Sequence, residues 1–425
     1  MAGFEPPPSY CEATRQHASL GGNLTFVDFI PQPTESGIFN VKFEPFGVLI
    51  EQANAWLSSN PSLEVKTCES IEFKCQGRTP MVEKMTYLEF NEYGTRYIRG
   101  LRLWVVPRSD ARHPPQKIGY LNLVPQPKEP SSLFGAGQFK TLSDILEKFN
   151  KSAATNPPGR ILSIESQEMK LPSWSNFDPD RSSWTEHGRG QTHFVFVVRI
   201  FFEYGPPAAE EIGIADFVPV MLADGGLFSI PQFEPFSNVI ARASQWCEQQ
   251  QFLRFCNAQS LEIKMKGGSV VDTQRMSYTE HGGKSTYYVR VLRVTYTKPA
   301  ESLIMEASIR TPVLHLSCKT FIPYQLNTSM FIPEFESLTQ TKERMKIWVQ
   351  LTGARMLSAE TVAMRLLTGG EATSGIEASF TYNPANMNEY WIYIIRLYLD
   401  GYYKEPEPHL LPPPPPVVNK TCAIL

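Results

Sequence analysis

The chain has 425 residues, 42% hydrophobic and 20% charged, with a formal net charge of −3 and 35 prolines against 27 glycines. That much apolar chain holds core enough for two to four domains, which excludes global disorder, and a proline share of about 8% excludes a long helical bundle or coiled coil. The near-neutral charge removes nucleic acid as a default partner, because phosphate binding draws on a surplus of Lys and Arg.

Residues 1–22 read as a disordered, proline-rich tail that carries Glu5 and no apolar stretch long enough for a signal-peptide core. Within it Pro7-Pro8-Ser9-Tyr10 matches Pro-Pro-x-Tyr, the ligand pattern of WW domains, which marks Pro7, Pro8 and Tyr10 as partner-binding residues.

Four segments follow, at 23–107, 118–207, 214–299 and 316–403, and they carry the same marks in the same order. An apolar pair precedes proline at Phe29-Ile30-Pro31, Leu123-Val124-Pro125, Phe217-Val218-Pro219 and Phe321-Ile322-Pro323, with the prolines 94, 94 and 104 residues apart. Phe43-Glu-Pro-Phe46, Phe233-Glu-Pro-Phe236 and Phe335-Glu-Ser-Leu338 then open helical patterns in which Trp56, Trp246 and Trp348 stand ten residues on. The second segment has Phe139-Lys-Thr-Leu142 and Ser152 in those places. Ser70, Ser166, Ser260 and Thr361 come 24, 24, 24 and 23 residues after the helix-opening residue. Arg102, Arg199, Arg293 and Arg396 sit inside aromatic and β-branched runs, 71, 74, 74 and 73 residues after the prolines.

Phe46, Leu49, Ile50, Ala53 and Leu57 share one helical face, and Phe236, Ile240, Ala243 and Cys247 repeat it, with proline just ahead of each face. The stretches 65–74, 261–266 and 287–296 alternate or run rich in β-formers and read as strands. The predicted class is α+β: four tandem β-α-β-β repeats, with antiparallel sheets each gripping one helix. In outline this order resembles the fold of dodecin, the small flavin-storage protein. The resemblance is topological, covers part of each unit and brings no flavin-binding residue with it. Units of this shape leave a sheet face or edge uncovered and are expected to pack in pairs or in a ring of four.

The four arginines admit two readings. One pairs them across strands with the recurring glutamates Glu72, Glu168 and Glu262, or Glu89, Glu186 and Glu280. The other gathers Arg102, Arg199, Arg293 and Arg396, with Trp56 and Trp246, around an anion or ligand pocket between repeats. Thr185-Glu-His187-Gly and Thr279-Glu-His281-Gly read as hairpin tips, since no nucleophile accompanies either histidine. Cys11, Cys68, Cys75, Cys247, Cys256, Cys318 and Cys422 are scattered without a Cys-x-x-Cys pair and read as reduced thiols of a cytosolic protein. No metal, cofactor or catalytic residue is expected, and the chain is not expected to be an enzyme.

Residues 404–425 form a second proline-rich tail, with Pro412 to Pro416 at its centre and Cys422-Ala423-Ile424-Leu425 at its end. That ending resembles the CaaX box of prenylated proteins. The resemblance implies lipidation of Cys422, recognition of Ala423, Ile424 and Leu425 by a protein prenyltransferase, and a covalent geranylgeranyl group, to which the terminal Leu points. One lipid chain with Lys404 and Lys420 as the nearby cations gives reversible membrane residence, which avidity in a homo-oligomer would strengthen. The proline run suits an SH3 or profilin-type groove, or a stiff spacer. Together these marks predict a non-enzymatic, prenyl-anchored peripheral scaffold or adaptor at the cytoplasmic face of a membrane. The alternative is a small-molecule or anion-binding protein with its pocket between repeats.

Overall fold

The computed structural model describes residues 24–36, 41–89, 95–109, 114–128, 139–152, 157–171, 177–186, 191–206, 208, 210–224, 231–266, 270–281, 285–299, 313–327, 334–366, 372–383 and 389–417. The first unit runs β1 (Thr25–Phe29), α1 (Phe46–Ser59), β2 (Leu63–Gln76), β3 (Thr86–Glu89) and β4 (Thr95–Pro107). The second runs β5 (Ile118–Leu123), α2 (Leu142–Lys151), β6 (Gly159–Lys170), β7 (Ser183–Glu186) and β8 (Gln191–Tyr204). The third runs β9 (Glu210–Phe217), α3 (Phe236–Glu248), β10 (Arg254–Lys264), β11 (Ser277–His281) and β12 (Thr286–Pro299). The fourth runs β13 (Leu316–Phe321), α4 (Leu338–Thr352), β14 (Arg355–Leu366), α5 (Ala372–Glu377), β15 (Phe380–Asn383) and β16 (Glu389–Asp400).

The local reasons are legible. Helix α1 buries the apolar face at Phe46, Leu49, Ile50, Ala53 and Leu57, while α3 buries Phe236, Val239, Ala243 and Cys247 and leaves Ile240 half-buried. Capping boxes start α2, through Thr141 and Asp144, and α4, through Ser337 and Gln340. Gly353 ends α4 at φ 60°, the left-handed position that glycine takes without a Cβ penalty. The glutamate of the Phe-Glu-Pro or Phe-Glu-Ser motif holds the loop after the first strand's proline: Glu44, Glu234 and Glu336 accept the amides of Gln32, Val220 and Tyr324 at 3.0, 2.9 and 3.0 Å.

Each sheet is built on one long strand, β4, β8, β12 or β16. On one side lies the strand that follows the helix: β2, β6, β10 or β14. The other side is shared end to end by two short strands. The unit's own first strand covers the later part of the long strand: β1, β5, β9 or β13. The earlier part is covered by a strand from the next unit, so that β7 pairs with β4, β11 with β8 and β15 with β12. The series closes on itself, because β3 of the first unit pairs with β16 of the fourth.

This corrects the predicted class. The described residues are mostly β, with 52% in strands and 19% helical, and the four antiparallel sheets stand as the blades of a four-bladed propeller rather than as tandem β-α-β-β repeats. No sheet is made by one unit alone, because each takes its last strand from the next. Nor does each sheet grip one helix, since every helix is wedged between two blades. Helix α1 packs on Leu101, Leu103 and Val105 of its own blade and on Ile118 and Phe201 of the next. Helix α4 does the same between its own Ile395 and Leu397 and the first unit's Phe26 and Trp104.

The closed exchange makes a concrete demand on the whole chain. A version ending at Pro299 leaves β3 without β16 and β12 without β15. Such a chain is expected to lose its cooperative thermal transition in circular dichroism and to leave the monomer position in gel filtration. A monomeric three-unit protein that melts cooperatively would contradict the closed ring.

Candidate functional site

The strands β2, β6, β10 and β14 line the middle of the ring and pack against one another in sequence. Each offers an outer backbone edge to the next unit, and side chains of that unit cover it. Cys68 N donates to Ser163 Oγ at 3.2 Å, Ile164 N to Asn257 Oδ1 at 2.8 Å and Ala258 N to Ser358 Oγ at 3.3 Å. Two residues on, Ser70 N donates to Glu165 at 2.9 Å, Ser166 N to Gln259 at 2.8 Å, Ser260 N to Glu360 at 2.7 Å and Thr361 N to Glu69. The last of these joins unit four to unit one.

The four repeated arginines complete these contacts. Arg199 Nη1 donates to Ser70 Oγ at 2.8 Å, Arg293 Nη1 to Ser166 Oγ at 2.6 Å, Arg396 Nη1 to Ser260 Oγ, and Arg102 Nη1 to Thr361 Oγ1 at 2.6 Å. Every serine or threonine singled out by spacing is thus clasped by the next unit's arginine, with a Glu or Gln beside it. All four guanidinium groups are buried. Each also binds its own unit's first strand: Arg102 forks onto both oxygens of Asp28 at 2.6 Å, and Arg293 onto both oxygens of Asp216 at 2.7 Å. Arg199 reaches Asn122 at 2.8 Å, and Arg396 reaches Thr320 at 3.3 Å.

The charges nearly cancel within each clasp. Arg293 faces Asp216 and Arg396 faces Glu360. Arg199 faces Glu165 and, more weakly, Asp180, and Arg102 faces Asp28 and Glu69. Burial pushes the Glu69 carboxyl up to about 8 against the opposing pull of Arg102, Trp104 and Thr361, so the surplus carboxyl carries a proton at neutral pH. Burial also raises Glu165 and lowers Arg199 to about 10. At the position of Glu69 the third unit has Gln259, the uncharged equivalent of a protonated Glu.

The expected partners of the arginines need correcting. Glu72 and Glu262 pair with Arg99 and Arg290, at 2.5 and 3.0 Å, one pleat away from the clasps. Glu168 uses its carbonyl, which accepts from Arg99 at 2.9 Å. Trp56, Trp246 and Trp348 each set an edge against the phenylalanine that opens the Phe-Ile-Pro or Phe-Val-Pro mark of their own unit, Phe29, Phe217 or Phe321, with centroids 5.8–6.4 Å apart for the first two and 5.7 Å for the third. Arg102, Arg199 and Arg293 spend Nε and both Nη atoms on protein acceptors. The structure therefore does not gather the arginines and tryptophans around one pocket. Pro7, Pro8, Tyr10, His187, Cys422, Ala423, Ile424 and Leu425 lie outside the described residues.

Sequence reasoning missed the donated strands and the residues that steady them. Lys170 Nζ donates to the Thr185 carbonyl at 2.8 Å, and Lys74 and Lys264 reach Leu88 and Thr279 in the same way. The available signal was the tetrads Thr86-Tyr-Leu-Glu89, Ser183-Trp-Thr-Glu186 and Ser277-Tyr-Thr-Glu280, which recur in phase. Among the described residues no group of three His, Cys, Asp or Glu side chains is placed to hold a metal, and no helix is long and apolar enough to cross a membrane. Comparison with family models, curated proteins and solved structures gives no match for this chain.

Two measurements probe the ring. Arg199→Ala leaves buried Glu165 and Asn122 without their cation and is expected to cost about 3–5 kcal/mol in urea unfolding. A loss below about 1 kcal/mol would show that the clasp is incidental. Glu69 is raised in the folded ring from an ordinary 4.5 to about 8, so its contribution is full below 4.5 and is lost as the pH rises toward 8. The melting temperature is accordingly expected to fall between about pH 5 and pH 8 in the wild type and to fall less steeply in Glu69→Gln. Parallel slopes in the two proteins would assign the pH dependence elsewhere.

Proposed function

We propose that the chain is a non-enzymatic scaffold, tethered by a prenyl group to the cytoplasmic face of a membrane. The observation that carries the proposal is Cys422-Ala-Ile-Leu behind a proline run. The ring supports the same reading, because its recurring arginines and hydroxyls are engaged in holding units together and its recurring tryptophans in packing within their own units.

The second tail starts from a fixed point. Tyr403 sets its ring edge-on to Trp348 at 4.9 Å, and Glu405 accepts from Trp348 Nε1 at 2.8 Å while pairing with Lys319 at 2.5 Å. Leu411 packs on the core shared by units four and one, and Pro412, Pro413 and Pro414 are exposed. Eleven residues from Leu411 to Cys422 span at most about 40 Å, so a lipid on Cys422 would hold this side of the ring within that distance of a bilayer. A single isoprenoid gives marginal, reversible binding, and the exposed prolines and Pro7-Pro8-Ser9-Tyr10 supply contacts for SH3-type and WW-type partners.

The lipid part requires Leu425 to be the last residue of the cellular protein. Protein purified from a eukaryotic cell is expected to show in its C-terminal peptide the mass of a geranylgeranyl group on Cys422, and Cys422→Ser is expected to move the protein from the membrane fraction to the supernatant. An unmodified Cys422, or a serine variant that stays with membranes, would remove the tether from the account.

A further inference from the structure

The four junctions between units are built alike, and the third lacks two closures that the first two have; at the fourth, Lys346 stands at the asparagine position of α4 and Arg102 Nη2 is taken by Asp28. In the first two junctions a helix asparagine covers the backbone edge of the next unit's first strand. Asn54 Nδ2 donates to the Ile118 carbonyl at 2.9 Å while its Oδ1 accepts the Ile118 amide at 2.8 Å. Asn150 treats Ile212 identically, at 2.9 and 3.0 Å. The corresponding residue of α3 is Ser244, and the corresponding strand residue is Leu316 in β13. Its amide and carbonyl point away from β16, since the ladder bonds fall on residues 315 and 317. Leu316 is buried, 3% exposed, yet among the described residues no side chain meets that amide or carbonyl.

The second missing closure is on the arginine. Arg199 Nη2 donates to the Pro179 carbonyl at 2.8 Å and Arg293 Nη2 to the Thr273 carbonyl at 3.1 Å, each from the loop ahead of a donated strand. Arg396, 1% exposed, makes no such bond from Nη2. Both gaps open into one cleft of about 420 Å³ between α3 and β13, bordered by Arg396, Ser244, Leu316 and Ile240. Glu377 stands at the start of α3, accepting the Ser237 amide at 3.2 Å, and Glu248 stands at its end beside His315. The eleven-residue separation from Ser237 to Glu248 makes the cleft about 16 Å long.

We infer that this cleft binds an extended peptide segment bearing a basic side chain. The sister junctions define the chemistry that fits Leu316, a paired amide donor and acceptor, which a peptide group presents as an asparagine side chain does. A peptide carbonyl also satisfies Arg396 Nη2, as loop carbonyls do at Arg199 and Arg293. The carboxylates Glu248 and Glu377 at the two ends favour Lys or Arg on the occupant. Peptide groups left unpaired in a buried edge are costly, and the segment relieves that cost on docking. The site adds a partner-docking surface to the ring and makes no use of the lipid tether.

The test uses the full chain as Cys422→Ser, so that loss of the tether cannot be mistaken for loss of this site. A phage-displayed random heptapeptide library is selected on that protein and counter-tested on its Ser244→Asn variant, which restores the residue type of Asn54 and Asn150. Enriched peptides are expected to carry Lys or Arg, to bind Ser244→Asn at least about tenfold more weakly, and to slow hydrogen exchange of the Leu316 amide. Before peptide is added, that amide is expected to exchange faster than those of Ile118 and Ile212. No enrichment, equal binding to both proteins, or a Leu316 amide already as protected as its two counterparts would overturn the proposal.

Discussion

An uncovered strand edge is the constraint from which the rest of this structure follows. Over most of their length the strands β2, β6, β10 and β14 pair on one side only, and their free amides would be a buried cost or an invitation to aggregate. The chain covers these edges with side chains of the next unit: a Glu or Gln and an arginine on the hydroxyl at all four junctions, and a Ser or Asn two residues earlier at the first three. The contact is directional, from each unit to its predecessor, so a row of such units always ends with one edge bare. Closing the row into a ring removes that end, and Glu69 and Arg102 on Thr361 perform the closure.

Covering edges with charged groups creates a second problem, which composition solves unit by unit. A buried arginine needs a counter-charge, and a second carboxylate beside it is surplus. The carboxylate comes from the first strand in unit three and from the inner strand in units four and two, and in unit two Asp180 adds a weaker second one near Arg199. The first unit carries both and relieves the excess by holding Glu69 protonated near neutrality. The ring therefore tolerates different residues at equivalent places as long as each clasp stays close to neutral.

Periodicity was the legible part. Residues that recur as one type, such as the arginines, the tryptophans and the Phe-Glu-Pro marks, can be aligned by eye, and their phase located the clasped Ser70, Ser166, Ser260 and Thr361. The partners of the arginines were not legible, because Asp28, Asn122, Asp216 and Thr320 differ in type and a β-bulge in β2, β10 and β14 shifts the register counted along the strand. Strand donation was hidden for a different reason. Segments β3, β7 and β15 are four residues long, too short for alternation to show, and local pattern says nothing of a partner such as β16, which lies some three hundred residues from β3. The cleft beside Ser244 became visible only when four equivalent junctions could be compared in space.

A body held together by its repeated polar residues depends on the ring being closed. Residue-resolved native-state hydrogen exchange tests closure most directly. If unit one completes unit four, the amides of Thr361 and Tyr393, bound by Glu69 and by the Met85 carbonyl, exchange as slowly as Ser70, Ser166, Ser260, Arg99, Phe196 and Arg290 at the other junctions. Exchange at Thr361 and Tyr393 faster by orders of magnitude, with the other six still protected, would mean an open array and would contradict the account.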